Sequence, residues 1–341
     1  MSTLKVNTLS GIGTEGPVLN GGLKFRSLNY MTLPKGDTNQ RDNDGGGRGV
    51  FGGGEVPGSP GVTDTIDYVE FTSQGNAVDF GNLSQARRKP ASVSSSTRGV
   101  FCAGATPGVT DVLDFITILS TGNAADFGDM STNVSQCFGG GNDTRGIFAG
   151  GYNNVNRIEY ITIATTGIVT DFGDLTTGKF DHAGFASPTL TFFAAGKTGS
   201  STNLASIDNV TTATTGNASD FGDMSVATRG PAGASSNTRG LMAGSASYGA
   251  NSIEFITMAT SGTAKRFGDL LVGRAEVLAG GTSNNVRALF GGGADQPSSP
   301  YYSNHIDFVR IATEGNAIDF GDLSIVRSCA SAVSNAHGGL S

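Results

Sequence analysis

The 341-residue sequence contains no tryptophan and only three cysteines, Cys102, Cys137 and Cys329. Their odd number and wide spacing argue against a disulfide framework, and no neighbouring residues complete a metal-ligand pattern around them. We therefore expect buried, reduced thiols and a protein made in a reducing compartment.

Charge and long apolar runs are also scarce. Charged residues make up 15% of the chain and the net charge is −7, which gives no general positive field for nucleic acid or an anionic membrane surface. No run of 18 apolar residues occurs, so the sequence predicts no membrane insertion, and residues 1–10 lack the features of a secretory signal. Because no stretch has a sustained apolar face at helical spacing, we expect an all-β protein.

Glycine is abundant, with 53 residues, and two short phrases recur six times in a fixed order. The first phrase is Phe-Gly-Asp or Phe-Gly-Asn, with steps of 45 to 53 residues between copies, and it starts at Phe80, Phe127, Phe172, Phe221, Phe267 and Phe320. The second is an Arg-Gly-Val-Phe-type strand ending in glycines, and its copies start at Arg48, Arg98, Arg145, Thr189, Arg239 and Arg287. A period of this length is the signature of a repeat architecture.

Each repeat contains four strand-like pieces: the glycine-ended strand, an aromatic-containing strand, the Phe-Gly-Asp piece and a stretch of small residues. Four short antiparallel strands repeated six times predict a six-bladed β-propeller, with the small-residue strand nearest the crowded axis. The alternative all-β architectures are a parallel β-helix and a β-solenoid, which usually have shorter periods.

The repeats begin at Arg48, and the chain ends with one spare small-residue strand. We predict that residues 325–336 complete the first blade and close the ring, so that no ring edge is left open. The predicted domains are an extended N-terminal segment, residues 1–47, and the propeller, residues 48–341.

One acidic residue recurs on the second strand of every repeat, at Asp67, Asp114, Glu159, Asp208, Glu254 and Asp307. These acids could form a ring of catalytic carboxylates, or each could pair with the arginine of a glycine-ended strand or accept turn amides. Six equivalent copies favour the structural interpretation, because catalysis needs one asymmetric constellation. Calcium binding at the Asp-Phe-Gly-Asp turns is conceivable, but the turns lack a dense run of ligands. We predict no catalytic residue, no metal site, no cofactor and no enzymatic activity.

The order of features resembles kelch repeats, in which an apolar strand ends in Gly-Gly and a later strand has a large aromatic before a turn and an arginine. Phe51-Gly52-Gly53, Phe80 and Arg87 stand at those places in the first repeat. Phenylalanine replaces the kelch tryptophan, so the chain looks like a kelch-like relative of that family.

The opening segment, residues 2–13, resembles the N-termini of virion proteins of tailed phages, especially those of marine cyanobacteria. The Phe-Gly-Gly-Gly and Asp-Phe-Gly-Asp-Leu repeats look like propellers among the tail and tail-fibre proteins of such phages. The resemblance implies a non-enzymatic structural component of the virion, assembled in the host cytoplasm. It implies tail, baseplate or fibre proteins as partners and leaves a homo-oligomer open.

In such virion proteins a short N-terminal segment commonly docks to the particle while the C-terminal domain faces outward for attachment or assembly. The docking residues expected here are Leu4, Val6, Leu9, Leu23 and Phe25, because their alternating apolar side chains suit a strand added to a partner's sheet. The alternative is that this segment packs across one face of its own propeller.

A second functional hypothesis is a carbohydrate-binding propeller at a fibre tip that recognises a glycan, or else a protein, on the host surface. Aromatic residues in loops favour it, and the candidates are Tyr152, Tyr248, Tyr301 and Tyr302. A hydrolase or lyase propeller is the third hypothesis.

Overall fold

The computed structural model describes residues 46–59, 61–199, 201–246, 250–274, 280–294 and 302–340, together with two short strands near the N-terminus. The chain divides into two compact units, Met1–Thr38 and Asn39–Ser341. In the first unit, β1 (Val18–Leu19) and β2 (Leu23–Lys24) form an antiparallel hairpin. No helix in the described ranges is long and apolar enough to cross a membrane.

The second unit is a six-bladed β-propeller of four-stranded antiparallel blades, which confirms the predicted fold and excludes the β-helix and β-solenoid alternatives. Its first strands are β3 (Arg48–Gly52), β4 (Thr65–Glu70), β5 (Val78–Asn82), β6 (Ala91–Ser94), β7 (Arg98–Cys102), β8 (Val112–Thr117), β9 (Ala125–Asp129), β10 (Phe138–Gly141), β11 (Arg145–Ala149), β12 (Arg157–Thr162) and β13 (Thr170–Asp174). The remaining strands are β14 (Ala183–Ala186), β15 (Leu190–Ala194), β16 (Leu204–Thr211), β17 (Ser219–Thr228), β18 (Ala232–Ser235), β19 (Arg239–Ala243), β20 (Ser252–Thr257), β21 (Lys265–Asp269), β22 (Gly281–Ser283), β23 (Arg287–Gly291), β24 (His305–Arg310), β25 (Ile318–Asp322) and β26 (Ser331–Ser334).

Blade 1 has the strand order β26-β3-β4-β5, and blades 2 to 6 each use four consecutive strands from β6 onward. Strand β26 therefore closes the ring by pairing with β3, with Val333 opposite Val50, as predicted for residues 325–336. The innermost strands β6, β10, β14, β18, β22 and β26 contact one another in a cycle around the axis. Their small residues permit this close approach, which confirms the predicted place of the small-residue strand.

The phenylalanine of every Phe-Gly-Asp piece is buried, with 2 to 8% of its surface exposed. In blade 2, the Phe127 ring meets the Phe115 ring of the neighbouring strand at a centroid distance of 6.1 Å and nearly perpendicular planes. This edge-to-face geometry is one that aromatic pairs prefer. The three cysteines are also buried, and none of them forms a disulfide, as the sequence predicted.

Neighbouring blades are joined at each seam by the glycine of the Phe-Gly-Asp piece and the turn of the next blade. Gly122 donates its backbone N–H to the carbonyl of Phe80, and Ala124 donates to Asn82, across the seam between blades 1 and 2. Gly81 has φ +145°, and a Cβ there would lie 2.4 Å from the carbonyl oxygen of Gly122. Only glycine fits, which explains why this residue recurs in all six repeats.

The arginine that begins five of the six glycine-ended strands also bridges a seam. In blade 2 the Arg98 guanidinium lies 4.3 Å from the centroid of the Phe115 ring and donates to the carbonyl of Ile163 in blade 3. Five blades share this arrangement, through Arg48, Arg98, Arg145, Arg239 and Arg287. In these five blades, an arginine over an aromatic ring donates a hydrogen bond across the seam and so links its blade to the next.

Of the two structural alternatives for the recurrent acids, pairing with these arginines is wrong, whereas acceptance of backbone N–H groups is found at Asp67, Asp114, Glu254 and Asp307. Four of the six acids instead pair with a buried cation located seven residues after the phenylalanine of the preceding repeat: Asp67 with Arg327, Asp114 with Arg87, Asp208 with Lys179 and Asp307 with Arg274. The N–O distances are 2.7 to 3.2 Å. Because each cation precedes the blade of its acid, the pair anchors the linker that enters that blade. Burial lowers the pKa of Arg327, and the charge of Asp67 opposes that shift.

The two remaining acids are glutamates, in the blades whose linker lacks the cation and has Val134 or Thr228 instead. Glu159 pairs with Arg157 on its own strand at 3.1 Å, and Glu254 accepts hydrogen bonds from Ser225. All six acids therefore have a structural partner, which supports the structural interpretation over a catalytic ring while correcting the partner.

The fourth repeat also needs a correction of one residue. The sequence alignment placed Thr189 at the arginine position, but in β15 that place belongs to Leu190, because Phe193 lies opposite Asp208 as Phe51 lies opposite Asp67. A leucine side chain cannot donate a hydrogen bond, so the seam from blade 4 to blade 5 lacks the arginine bridge.

The residues after β26 cross the end of the axial channel. The channel is a cavity of about 60 Å³ lined by the six innermost strands and His337. The Nε2 atom of His337 lies 2.9 Å from the carbonyl oxygen of Ser94 in blade 2, and the Gly338 N–H donates to Ser235 in blade 5. The C-terminal segment thus contacts blades on opposite sides of the ring as well as completing blade 1.

Candidate functional site

The two ends of the propeller differ in what connects the strands. The short turns that follow the first and third strands of each blade lie at one end, which we call the turn face. The loops after the second strand and the linkers between blades lie at the other end, which we call the loop face. Because strands alternate in direction, this division follows from the antiparallel blades themselves.

On the loop face, one loop residue in each of blades 1 to 5 pairs with the linker that enters that blade. This bridge residue stands four positions after the buried residue opposite the acid, and its identities are Glu55, Ala105, Tyr152, Lys197, Ala246 and Ala294. Backbone bridges join Glu55 to Ser328, Ala105 to Arg88 and Lys197 to Phe180. The backbone is the same in these blades, but the side chains range from acidic through aromatic to basic.

The next linker residue lies closer to the axis and has a left-handed backbone. Its φ is between 51° and 71° at Lys89, Gln136, Asp181, Gly230 and Cys329. The Lys89 N–H donates to the carbonyl of Cys329, and the Gly230 N–H donates to Asp181, so main-chain bonds run from blade to blade. Such conformations cost about 1 kcal/mol or more in residues other than glycine, so the surrounding structure must hold them.

A groove on the loop face runs between blades 1, 2 and 3. Its cavity volume is about 470 Å³, within the usual range of about 300–1,000 Å³ for small-ligand sites. We call it the loop-face groove, and it is lined by Glu55, Arg88, Lys89, residues 105–109, Ser135, Gln136 and Tyr152.

Tyr152 is the aromatic residue of the groove, and 54% of its surface is exposed. Its backbone N–H donates to Ser135, and its ring contacts the buried Phe180 ring at a centroid distance of 5.4 Å. The contact with Phe180 supports the Tyr152 ring on its buried side, so its exposed side lies beside the groove.

The charged residues of the groove occur in opposite pairs. The guanidinium Nη1 of Arg88 donates to Glu55 Oε2 at 2.8 Å, and the Tyr302 hydroxyl donates to Glu55 Oε1 at 3.1 Å. Lys89 Nζ lies 3.5 Å from the buried carboxylate of Asp181, which also accepts a hydrogen bond from Gln136. Asp181 also lies 3.8 Å from Arg229, so the wall has many polar groups, and three cations share two carboxylates.

The structure brings together two of the four tyrosines proposed from the sequence, Tyr152 in the groove and Tyr302 at its edge through Glu55. Tyr248 and Tyr301 lie outside the described residues. Of the predicted docking residues, Leu23 lies in β2, whereas Leu4, Val6, Leu9 and Phe25 lie outside the described residues.

Sequence reasoning missed Glu55, Arg88, Lys89 and Gln136. Comparing equivalent positions of the six repeats would have found them, because chemistry differs there while the seam positions repeat. Across the described part of the chain, no group of three or more His, Cys, Asp or Glu side chains is placed to hold a metal ion.

The sequence matches no family model, and no curated protein matches it significantly.

Proposed function

We propose that this chain is a non-enzymatic structural component of a phage virion, associated with the tail or tail fibre, in which residues 1–47 dock to the particle and the propeller faces outward. The observation that favours this arrangement is the division of the chain into a small N-terminal unit and a separate closed propeller. The likeness of residues 2–13 and of the repeats to phage virion proteins supplies the functional class.

In this proposal the partners of residues 1–47 are other tail, baseplate or fibre proteins. The alternating apolar residues Leu4, Val6, Leu9, Leu23 and Phe25 contribute side-chain burial, and extended backbone contributes hydrogen bonds to a partner's sheet. The propeller contributes a rigid display of the loop face, because each of its blades is bonded to its neighbours.

A fusion experiment tests the docking role. Residues 1–47 are joined to an unrelated soluble domain and expressed in infected cells beside the full chain, and purified particles are assayed for each protein. We expect the fusion in the particles at a level comparable to the full chain. Incorporation of the propeller alone but never of the fusion would place docking on the other unit.

We propose as a second candidate function that the propeller is the receptor-recognition domain at a fibre tip and binds carbohydrate on the host surface. The loop-face groove favours it, since an exposed tyrosine held beside polar side chains is a common means of gripping an amphipathic ligand. Purified full-length protein added before infection should then compete with particles for adsorption, and no competition at saturating protein would argue against this role.

A further inference from the structure

We infer that the loop-face groove is a binding site for a neutral saccharide, an inference that rests on the second candidate function and gives it a location and a ligand class. The groove lies off the axis, between blades 1, 2 and 3. Its asymmetry follows from three bridge residues that differ completely, Glu55, Ala105 and Tyr152.

The aromatic wall supplies the apolar half of the site. A pyranose ring has one face of C–H groups and an edge of hydroxyls, so it matches an aromatic surface beside polar groups. Tyr152 offers such a surface, with 54% of the residue exposed and the ring braced by Phe180. Val109, which is 47% exposed, extends the apolar wall from the loop of blade 2.

The polar wall supplies the hydrogen-bonding half. Glu55 accepts one bond from Arg88 and one from Tyr302, and a carboxylate offers about four lone-pair sites. The Gln136 amide donates one bond to Asp181 and has a carbonyl oxygen and a second N–H besides. Vicinal hydroxyls, which donate and accept, are the groups that suit such a wall.

The pairing of each cation with an acid favours a neutral ligand over an acidic one. Arg88 is paired with Glu55, and Lys89 shares Asp181 with Arg229, so a carboxylate or sulfate on the ligand would have to compete with an existing acid for each cation. Desolvating an extra charge without a new partner is costly. The groove therefore discriminates against acidic saccharides.

The test uses the full-length protein on an array that contains neutral hexosides and N-acetylhexosaminides beside sialyl and uronyl saccharides. The strongest neutral saccharide is then titrated against the wild type and the variants by calorimetry. We expect Tyr152→Ala to weaken binding about tenfold or more and Tyr152→Phe to retain most of it, because phenylalanine keeps the ring. Leu119→Ala, at an exposed residue of the turn face, is the matched control and should change nothing.

Glu55→Gln tests the charge argument separately. It removes the negative partner of Arg88 while keeping the size of the side chain, so preference should shift from neutral toward acidic saccharides. Binding of acidic saccharides alone by the wild type, no binding to any saccharide on the array, or unchanged binding by Tyr152→Ala would each overturn the inference.

These outcomes are distinct from failure of the virion role. If the N-terminal fusion enters particles but the protein binds no saccharide, only the ligand assignment fails. If the saccharide binds and the full chain is absent from particles, the groove assignment stands and the virion role fails.

Discussion

The seams between blades and the loop face obey opposite rules, although the same repeats build both. At the seams one set of contacts recurs: a glycine against a turn carbonyl, an arginine across an aromatic ring, and in four blades a buried acid with a cation. On the loop face the backbone recurs while the side chains change from glutamate to alanine, tyrosine and lysine. The contacts that repeat in the blades hold the ring closed, whereas the side chains that vary on the loop face are available for recognition.

The closing strand is the seam feature with the largest expected effect. Deletion of residues 326–341 removes β26, the Arg327–Asp67 pair and the segment that crosses the axial channel. Blade 1 would keep three strands and expose a strand edge to other molecules. We expect a lower melting temperature and self-association, measured by calorimetry and light scattering. A truncated protein that stays monomeric and melts with the wild type would show that β26 does not hold the ring.

Asp114→Ala breaks one repeated seam contact. It leaves the fully buried Arg87 without its carboxylate, and removing one partner of a buried pair typically costs about 3–5 kcal/mol. Asp126→Ala is the matched control, because Asp126 lies opposite Asp114 in the sheet but is exposed, so its free energy of unfolding should change by about 0.5 kcal/mol or less. If denaturant unfolding shows the same loss of free energy for Asp114→Ala and Asp126→Ala, the buried ion pair does not stabilise the fold.

Phe127→Ala probes the recurrent aromatic core in the same way. The ring is 2% exposed, so its truncation should cost about 3–5 kcal/mol in the free energy of unfolding. Leu119→Ala, at a residue 59% exposed, serves as the comparison and should cost about 0.5 kcal/mol or less. A loss below about 1 kcal/mol for Phe127→Ala would contradict its place in the core.

The sequence predicts the features that lie within one repeat better than the contacts between blades. The period, the four strands, the closing strand and the buried phenylalanines could be predicted, since each depends on a pattern within one repeat. The partner of each acid could not, because it lies in the linker from the preceding blade. A signal was nevertheless present: aspartate occurs where Arg or Lys stands seven residues after the preceding phenylalanine, and glutamate where Val134 or Thr228 does.

The misaligned fourth repeat has a simple cause. Phe192 and Phe193 are adjacent and the usual Arg-Gly pair is missing, so either phenylalanine fits the pattern and a shift of one residue exchanges the two faces of the strand. Comparing the repeats identifies the varied positions, but their assembly into one groove could not be predicted, because Glu55, Arg88 and Tyr152 come together only when three blades are placed side by side.

His182 is a varied linker residue that is nevertheless buried, between the rings of Phe138 and Phe193. It therefore tests the comparison between repeated seam positions and varied loop-face positions. Burial lowers the pKa of His182 well below its ordinary value of 6.5, and the nearby Lys179 charge adds to this. Below about pH 6.5 the unfolded chain therefore binds a proton that the folded protein does not. The free energy of unfolding should fall as pH falls from there, by up to about 1.4 kcal/mol per pH unit.

Unfolding of wild type and His182→Phe across pH 7 to pH 5 measures this contribution. The phenylalanine variant should show a shallower fall, with the remaining slope due to other groups such as His337, whose pKa burial also lowers. If the free energy of unfolding falls equally with pH in wild type and His182→Phe, the buried histidine does not contribute to the pH dependence.

The smallest expected effect on stability belongs to the loop face, and it gives the most direct test of the comparison. The triple variant Glu55→Ala, Tyr152→Ala and Lys197→Ala gives all six bridge positions the residue that three blades already have. Its free energy of unfolding should lie within about 1.5 kcal/mol of the wild type, because Tyr152 is exposed, Glu55 and Lys197 are only half-buried, and solvent-screened ion pairs such as Glu55–Arg88 contribute about 0–1 kcal/mol. The single seam change Asp114→Ala should cost about 3–5 kcal/mol under the same conditions. A triple variant destabilised as much as Asp114→Ala would contradict the claim that repeated positions hold the fold while varied positions are free for recognition.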